Sequence, residues 1–97
     1  MYVIALIRYS KPIEEVMKFV EAHRAYLREL KAKGILVASG PFEPRFGGAL
    51  LLRLATPLDD RALLALRDGD PFVKEAVAQY ELLPWVPVIG KEELDRL

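Results

Sequence analysis

The stretch PIEEVMKFVEAHRAYLRELKAK, residues Pro12–Lys33, decides the fold. At 100° per residue, Ile13, Val16, Met17, Val20, Leu27 and Leu30 fall on one side, with His23 among them. The spacing predicts one amphipathic helix lying against a core. Its ends carry matching signals. Ser10-Lys11-Pro12 reads as the entrance, with Pro12 suited to the first helical position. Glu14 and Glu15 follow where the helix dipole favours acids, Arg28, Lys31 and Lys33 crowd the far end, and Gly34 is a stop.

Strands flank this helix. Tyr2–Tyr9 is β-branched and aromatic, and its apolar residues lie on both faces. Ile35–Ser39 reads as a second strand, ended by Gly40-Pro41. Two prolines and two glycines across Pro41–Gly48 mark a loop, and Ala49–Ala55 reads as the third strand. Thr56-Pro57-Leu58 leads into a second helix, Asp59–Arg67, with Asp59 or Asp60 at its start. Asp68-Gly69 breaks it, and Asp70-Pro71 opens a short helical turn through Val77. Tyr80–Val88 is the last strand, where Pro84 and Pro87 argue for an edge or a bulge. Lys91–Leu97 is a charged tail of one helical turn. With no repeat or linker, residues 1–97 are expected to form one domain.

The order β-α-β-β-α-β is the ferredoxin-like plan, an α+β fold with an antiparallel sheet and both helices on one face. The other sheet face is then bare. Val3, Ala5 and Ile7 share one face of the first strand and Tyr2, Ile4 and Leu6 the other, and neither is polar. The 53% hydrophobic fraction is high for 97 residues. A homodimer packed through the bare face is therefore expected.

Composition removes several classes of function. Fourteen basic and fourteen acidic residues give zero net charge, without a basic stripe, which argues against nucleic acid. The absence of cysteine removes disulfides, thiolate zinc sites and thiol catalysis. A single histidine argues against a dedicated transition-metal site. Gly47-Gly48 lacks a phosphate-loop fingerprint, and no cofactor is expected. The apolar run Met1–Ile7 is too short for a signal core or a membrane span, so a cytoplasmic protein with no membrane contact is expected.

His23 is the only histidine, the residue type whose unperturbed side chain changes charge closest to neutral pH. Two readings stay open: a core-edge histidine bonded to a backbone carbonyl, or a general base in a cleft between helix and sheet. Asp70 is the best partner for it. Asp before Pro71 reads as an N-cap, and a carboxylate has acceptor sites enough to cap a helix and also take an imidazole N–H. Ser39-Gly40 reads either as turn chemistry or as a hydroxyl and an open backbone beside a ligand. Arg8 and Tyr9 stand at the end of the first strand; Arg8 could hold a substrate carboxylate in a bidentate clamp, or be a plain surface arginine. Arg24 beside His23 could raise the local positive potential; Arg45 and Arg53 have weaker claims. Trp85 reads as a packing anchor or a dimer contact.

Together these pieces resemble the YCII-related family of small dimeric proteins. The resemblance runs over nearly the whole chain: Arg8-Tyr9, Ala22-His23-Arg24, Ser39-Gly40-Pro41, Gly48, Asp70-Pro71-Phe72-Val73 and Tyr80-Glu81, in that order. It implies a dimeric α/β-barrel related to the fold of muconolactone isomerases. It also implies a His–Asp pair at His23 and Asp70, with Ser39 near the pocket. One branch of the family resembles dehydrochlorinases of chlorinated hydroxyquinols. The tail after Gly90 is idiosyncratic and could cover the pocket. The expected function is acid/base chemistry on a small anionic or ring-derived molecule: elimination, isomerisation or dehalogenation. His23 and Asp70 would be catalytic, with Ser39, Gly40, Arg8 and Tyr9 holding substrate. The alternatives are a non-catalytic ligand-binding protein and a structural dimeric module.

Overall fold

The computed structural model describes residues 1–55 and 59–97; the lead-in read at Thr56-Pro57-Leu58 lies outside them. Strand β1 (Tyr2–Tyr9) is followed by α1 (Ile13–Met17), α2 (Val20–Ala32), β2 (Leu36–Pro41) and β3 (Gly47–Arg53). Then come α3 (Asp60–Asp68), α4 (Pro71–Lys74), β4 (Ala78–Trp85) and α5 (Lys91–Asp95). The sheet runs β2-β3-β1-β4, and every pairing is antiparallel. This is the expected α+β order.

The pleat divides the residues of the sheet. Val3, Ala5 and Ile7 of β1 and Leu50 and Leu52 of β3 face the helices and are buried. Val16, Val20, Leu27, Leu30, Leu63 and Phe72 close on them from above. Burying each such side chain contributes about 1.5–3 kcal/mol of transfer free energy. Ile4, in register with Leu51 and Leu83, lies with Leu6 on the opposite face, which among the described residues carries no helix except α5 at one end. There Tyr2 donates its hydroxyl to Asp95 at 2.6 Å, and Arg53 reaches the Leu97 carbonyl. The tail thus docks on the bare face and contributes no residue to the hollow beside His23.

Some expected boundaries move. The helix read as continuous from Pro12 to Lys33 is two helices. Between them Phe19 N–H bonds the Val16 carbonyl at 3.0 Å, a tightened i to i+3 turn. The turn brings Phe19 against the core and leaves Ile13 and Met17 exposed. Gly40-Pro41 does not end β2 but belongs to it, pairing with Ala49 and Gly48. Proline is tolerated because β2 is an edge strand. The third strand begins at Gly47 rather than Ala49, because Gly47 already pairs with Arg8. The short turn after Asp70 stops at Lys74, with Ala76 at φ 56° reversing the chain. The last strand starts at Ala78 and stops at Trp85, and of the two expectations its prolines raised, an edge or a bulge, it is an edge strand.

Candidate active site

His23 stands on α2 in the stripe of Val20 and Leu27, so the face that fills the core also aims the imidazole at the sheet. Asp70 is placed by a different device. The chain leaves α3 at Gly69 and enters α4 at Pro71. As N-cap, Asp70 accepts the Phe72 N–H on Oδ1 at 2.9 Å. A side chain at Gly69 would put its Cβ 2.7 Å from the Tyr26 hydroxyl, so glycine lets α2 approach this corner. That hydroxyl donates to the Leu66 carbonyl at 2.6 Å and fixes the approach.

The two groups meet. His23 Nδ1 lies 2.9 Å from Oδ1 and 2.8 Å from Oδ2 of Asp70. Asp70 is 0% exposed, and no other polar or charged residue among the described residues is buried. A buried carboxylate is costly unless its lone pairs are used. Here the Phe72 N–H, the imidazole and the Tyr80 hydroxyl all point at it. Burial first, then the charge of Asp70, push the Tyr80 phenol far above its usual range, so Tyr80 remains a donor. Burial, followed by the charges of Asp70 and Glu29, also raises Tyr26.

An ionised Asp70 requires Nδ1 to carry the proton, which leaves Nε2 of a neutral ring as the acceptor. Among the described residues Nε2 has no hydrogen-bond partner, yet no buried side-chain polar atom lacks one. Nε2 therefore reaches solvent. Phe72 stacks on the imidazole at 3.9 Å between centroids, 6° from parallel, and holds the ring plane. Tyr9 meets Phe72 edge-on at 6.0 Å.

His23 lines a cavity of about 220 Å³ between α2 and the sheet. Tyr9, Ser39 and Gly40 line it as well. Arg8 does not. It follows Ile7 by one residue, so the pleat turns it to the opposite face of the sheet. The cations at the cavity are instead Arg24 and Arg45, and Arg45 Nε donates to the Tyr9 hydroxyl at 3.3 Å. Among the described residues no carboxylate lines the cavity; Asp70 sits behind the imidazole. Sequence reasoning underrated Arg45 and missed Tyr80 and Phe72. Tyr80 alternates with Leu82 toward the helices, and Phe72 follows the cap by two residues; these were the available signals. Among the described residues, no group of three His, Cys, Asp or Glu side chains could hold a metal ion, and no helix is long and apolar enough to cross a membrane.

The family model of the YCII-related domain matches residues 1–86. No curated protein matches the sequence. One similar solved structure is the 5-chloro-2-hydroxyhydroquinone dehydrochlorinase TftG from Burkholderia phenoliruptrix AC1100, in complex with 2,5-dihydroxybenzoquinone. The two are 21% identical and align over 92% of this chain and 97% of that one, with a TM-score of 0.71. At that identity the likeness shows a shared fold.

Proposed function

Since the chain belongs to the YCII-related family, we propose that it catalyses proton transfer on a small organic molecule held between α2 and the sheet, with His23 as general base and acid. One observation carries this reading: a fully buried carboxylate holds Nδ1 of an imidazole that lines a cavity and whose other nitrogen has no partner among the described residues. The structural alternative, a core-edge histidine bonded to a backbone carbonyl, lacks this buried carboxylate partner.

In the proposed step, Nε2 takes a proton from carbon, and the C–H electron pair stays on the substrate. In an elimination that pair forms a new double bond and expels a leaving group from the neighbouring carbon. In an isomerisation it moves along the substrate, and the Nε2–H returns the proton elsewhere. Asp70 fixes the tautomer and stabilises the imidazolium formed in either case. Phe72 keeps the ring in plane. Ser39 and Tyr9 offer hydroxyls to polar substituents, and Gly40 leaves room beside them. TftG, a dehydrochlorinase bound to a quinone, makes halogenated quinols the first substrates to try. We further propose that the protein works as a homodimer joined through the bare sheet face.

The test is turnover on a panel of halogenated quinols and unsaturated lactones, comparing the wild type with His23→Ala. A positioned base contributes about 10²–10⁴ in rate, so the variant should lose at least about a hundredfold in kcat. Turnover undiminished in His23→Ala refutes the base assignment. Tight binding of these compounds without turnover by the wild type makes the protein a binding module.

A further inference from the structure

A second hollow, of about 300 Å³, runs along the edge strand β2 beneath α2. It shares Arg24, Leu27 and Ser39 with the His23 cavity, so the two hollows are immediate neighbours along α2. Its floor is apolar, from Leu36, Val37 and Ala38. Its charged lining is all of one sign: Arg24, Arg28 and Lys31. These sit at i, i+4 and i+7 on α2 and therefore share a face. The helix rise spreads them over about 10 Å.

The segregation is informative in a chain with equal numbers of acids and bases. The acids of α2, Glu21 and Glu29, do not line the trough. Arg24 approaches Glu21 only to 3.7 Å, and among the described residues Arg28 and Lys31 have no carboxylate within salt-bridge distance. Resting on the proposed site, we infer that the trough is a second anion subsite. The ligand carries one acidic group at the mouth of the His23 cavity, beside Arg24 and Arg45. An apolar spacer crosses Leu27 and Leu36, and a second acidic group lies about 10 Å away against Arg28 and Lys31. The ligand class is a small two-headed acid, its ends joined by a ring or a short chain.

Two probes of matched shape test this by titration calorimetry on the full chain at low salt: para-butylbenzoate, with one charge, and para-(omega-carboxypropyl)benzoate, with two. Exposed ion pairs contribute little each, so the dianion should bind about fivefold tighter, and the advantage should fade as salt rises. In the double variant Arg28→Gln/Lys31→Gln the advantage should vanish while the monoanion binds as before. Equal affinity of the two probes overturns the inference. So does an advantage that survives in the double variant, or no measurable binding of either probe at millimolar concentration. His23→Ala keeps the advantage if the trough is real. Failure of the trough therefore reads out in affinity ratios, and failure of the base assignment reads out in turnover.

Discussion

Asp70 is one carboxylate with three donors, and each comes from a different part of the chain. The Phe72 N–H is local, His23 is 47 residues away and Tyr80 is 10 residues away. Burying an unpaired carboxylate would cost several kcal/mol, so the donors make the site foldable as well as useful. Tyr80→Phe keeps the ring and removes one hydrogen bond to a buried charge. It should cost about 1.5–3 kcal/mol, seen as a lower midpoint in thermal unfolding. An unchanged midpoint would mean that the Tyr80 hydroxyl does not support the carboxylate. His23 and Asp70 each announce themselves locally, one as a polar break in an apolar stripe and the other as a cap before proline, but their contact was not legible because they belong to separate elements. Tyr80 was hidden. Its place depends on β4 lying beside β1, which sets Tyr80 opposite Ile7, and no local pattern reports strand order. Arg8 was misplaced for a related reason: neighbours in a strand face opposite ways, so closeness to Tyr9 in sequence separates them in space.

Among the elements, close backbone approach constrains what periodicity cannot see. A Cβ on Gly47 would sit 1.8 Å from the Ile7 carbonyl oxygen, and that oxygen belongs to the central strand. Gly47→Ala must push β3 from β1 and should destabilise by about 1–3 kcal/mol, measured by urea unfolding. A stability equal to wild type would contradict the approach. The same blindness explains the long helix read from Pro12 to Lys33. Residues 13–30 keep a helical period, but Phe19 seeks the core and tightens one turn to reach it. The tail helix α5 has its own electrostatics. The Lys91 ammonium, then the Tyr2 hydroxyl, hold Asp95 below the usual carboxylate range, and Asp95 raises Lys91. A lowered acid stabilises above its unfolded pKa and loses that contribution as pH falls through the folded value. A raised base stabilises below its unfolded pKa and loses its contribution as pH rises through the folded value. The docking of α5 should therefore hold across neutral pH and loosen in acid. The Tyr2 ring resonances should move on acidification in the wild type and stay still in Asp95→Asn. Equal shifts in both would show that Asp95 does not hold the tail.

For the whole molecule, fold class and element order were readable because strand and helix periods alternate cleanly and turn residues punctuate them. The sheet's partners and the docking of the tail were not, since both depend on which face each strand turns outward. That outward face carries the last prediction. Ile4, Leu6, Leu51 and Leu83 form its apolar middle, and Trp85 stands 42% exposed at its edge. Ile4, Leu51 and Trp85 also line a shallow hollow of about 460 Å³. Among the described residues, the hydrogen bonds of α5 and the chain end to this face are to Tyr2 and Arg53, at one end of it. A second copy would bury this surface against its own equivalent, as a two-fold interface requires. Sedimentation of the wild type at micromolar concentration should give twice the chain mass. Leu51→Lys places an ammonium in the middle of the apolar contact, where it must be desolvated without a partner. That variant should sediment as a monomer and retain its secondary structure by circular dichroism. His23→Ala, on the other face, should remain dimeric. A monomeric wild type would reject the dimer, and a Leu51→Lys dimer as tight as wild type would place any interface elsewhere.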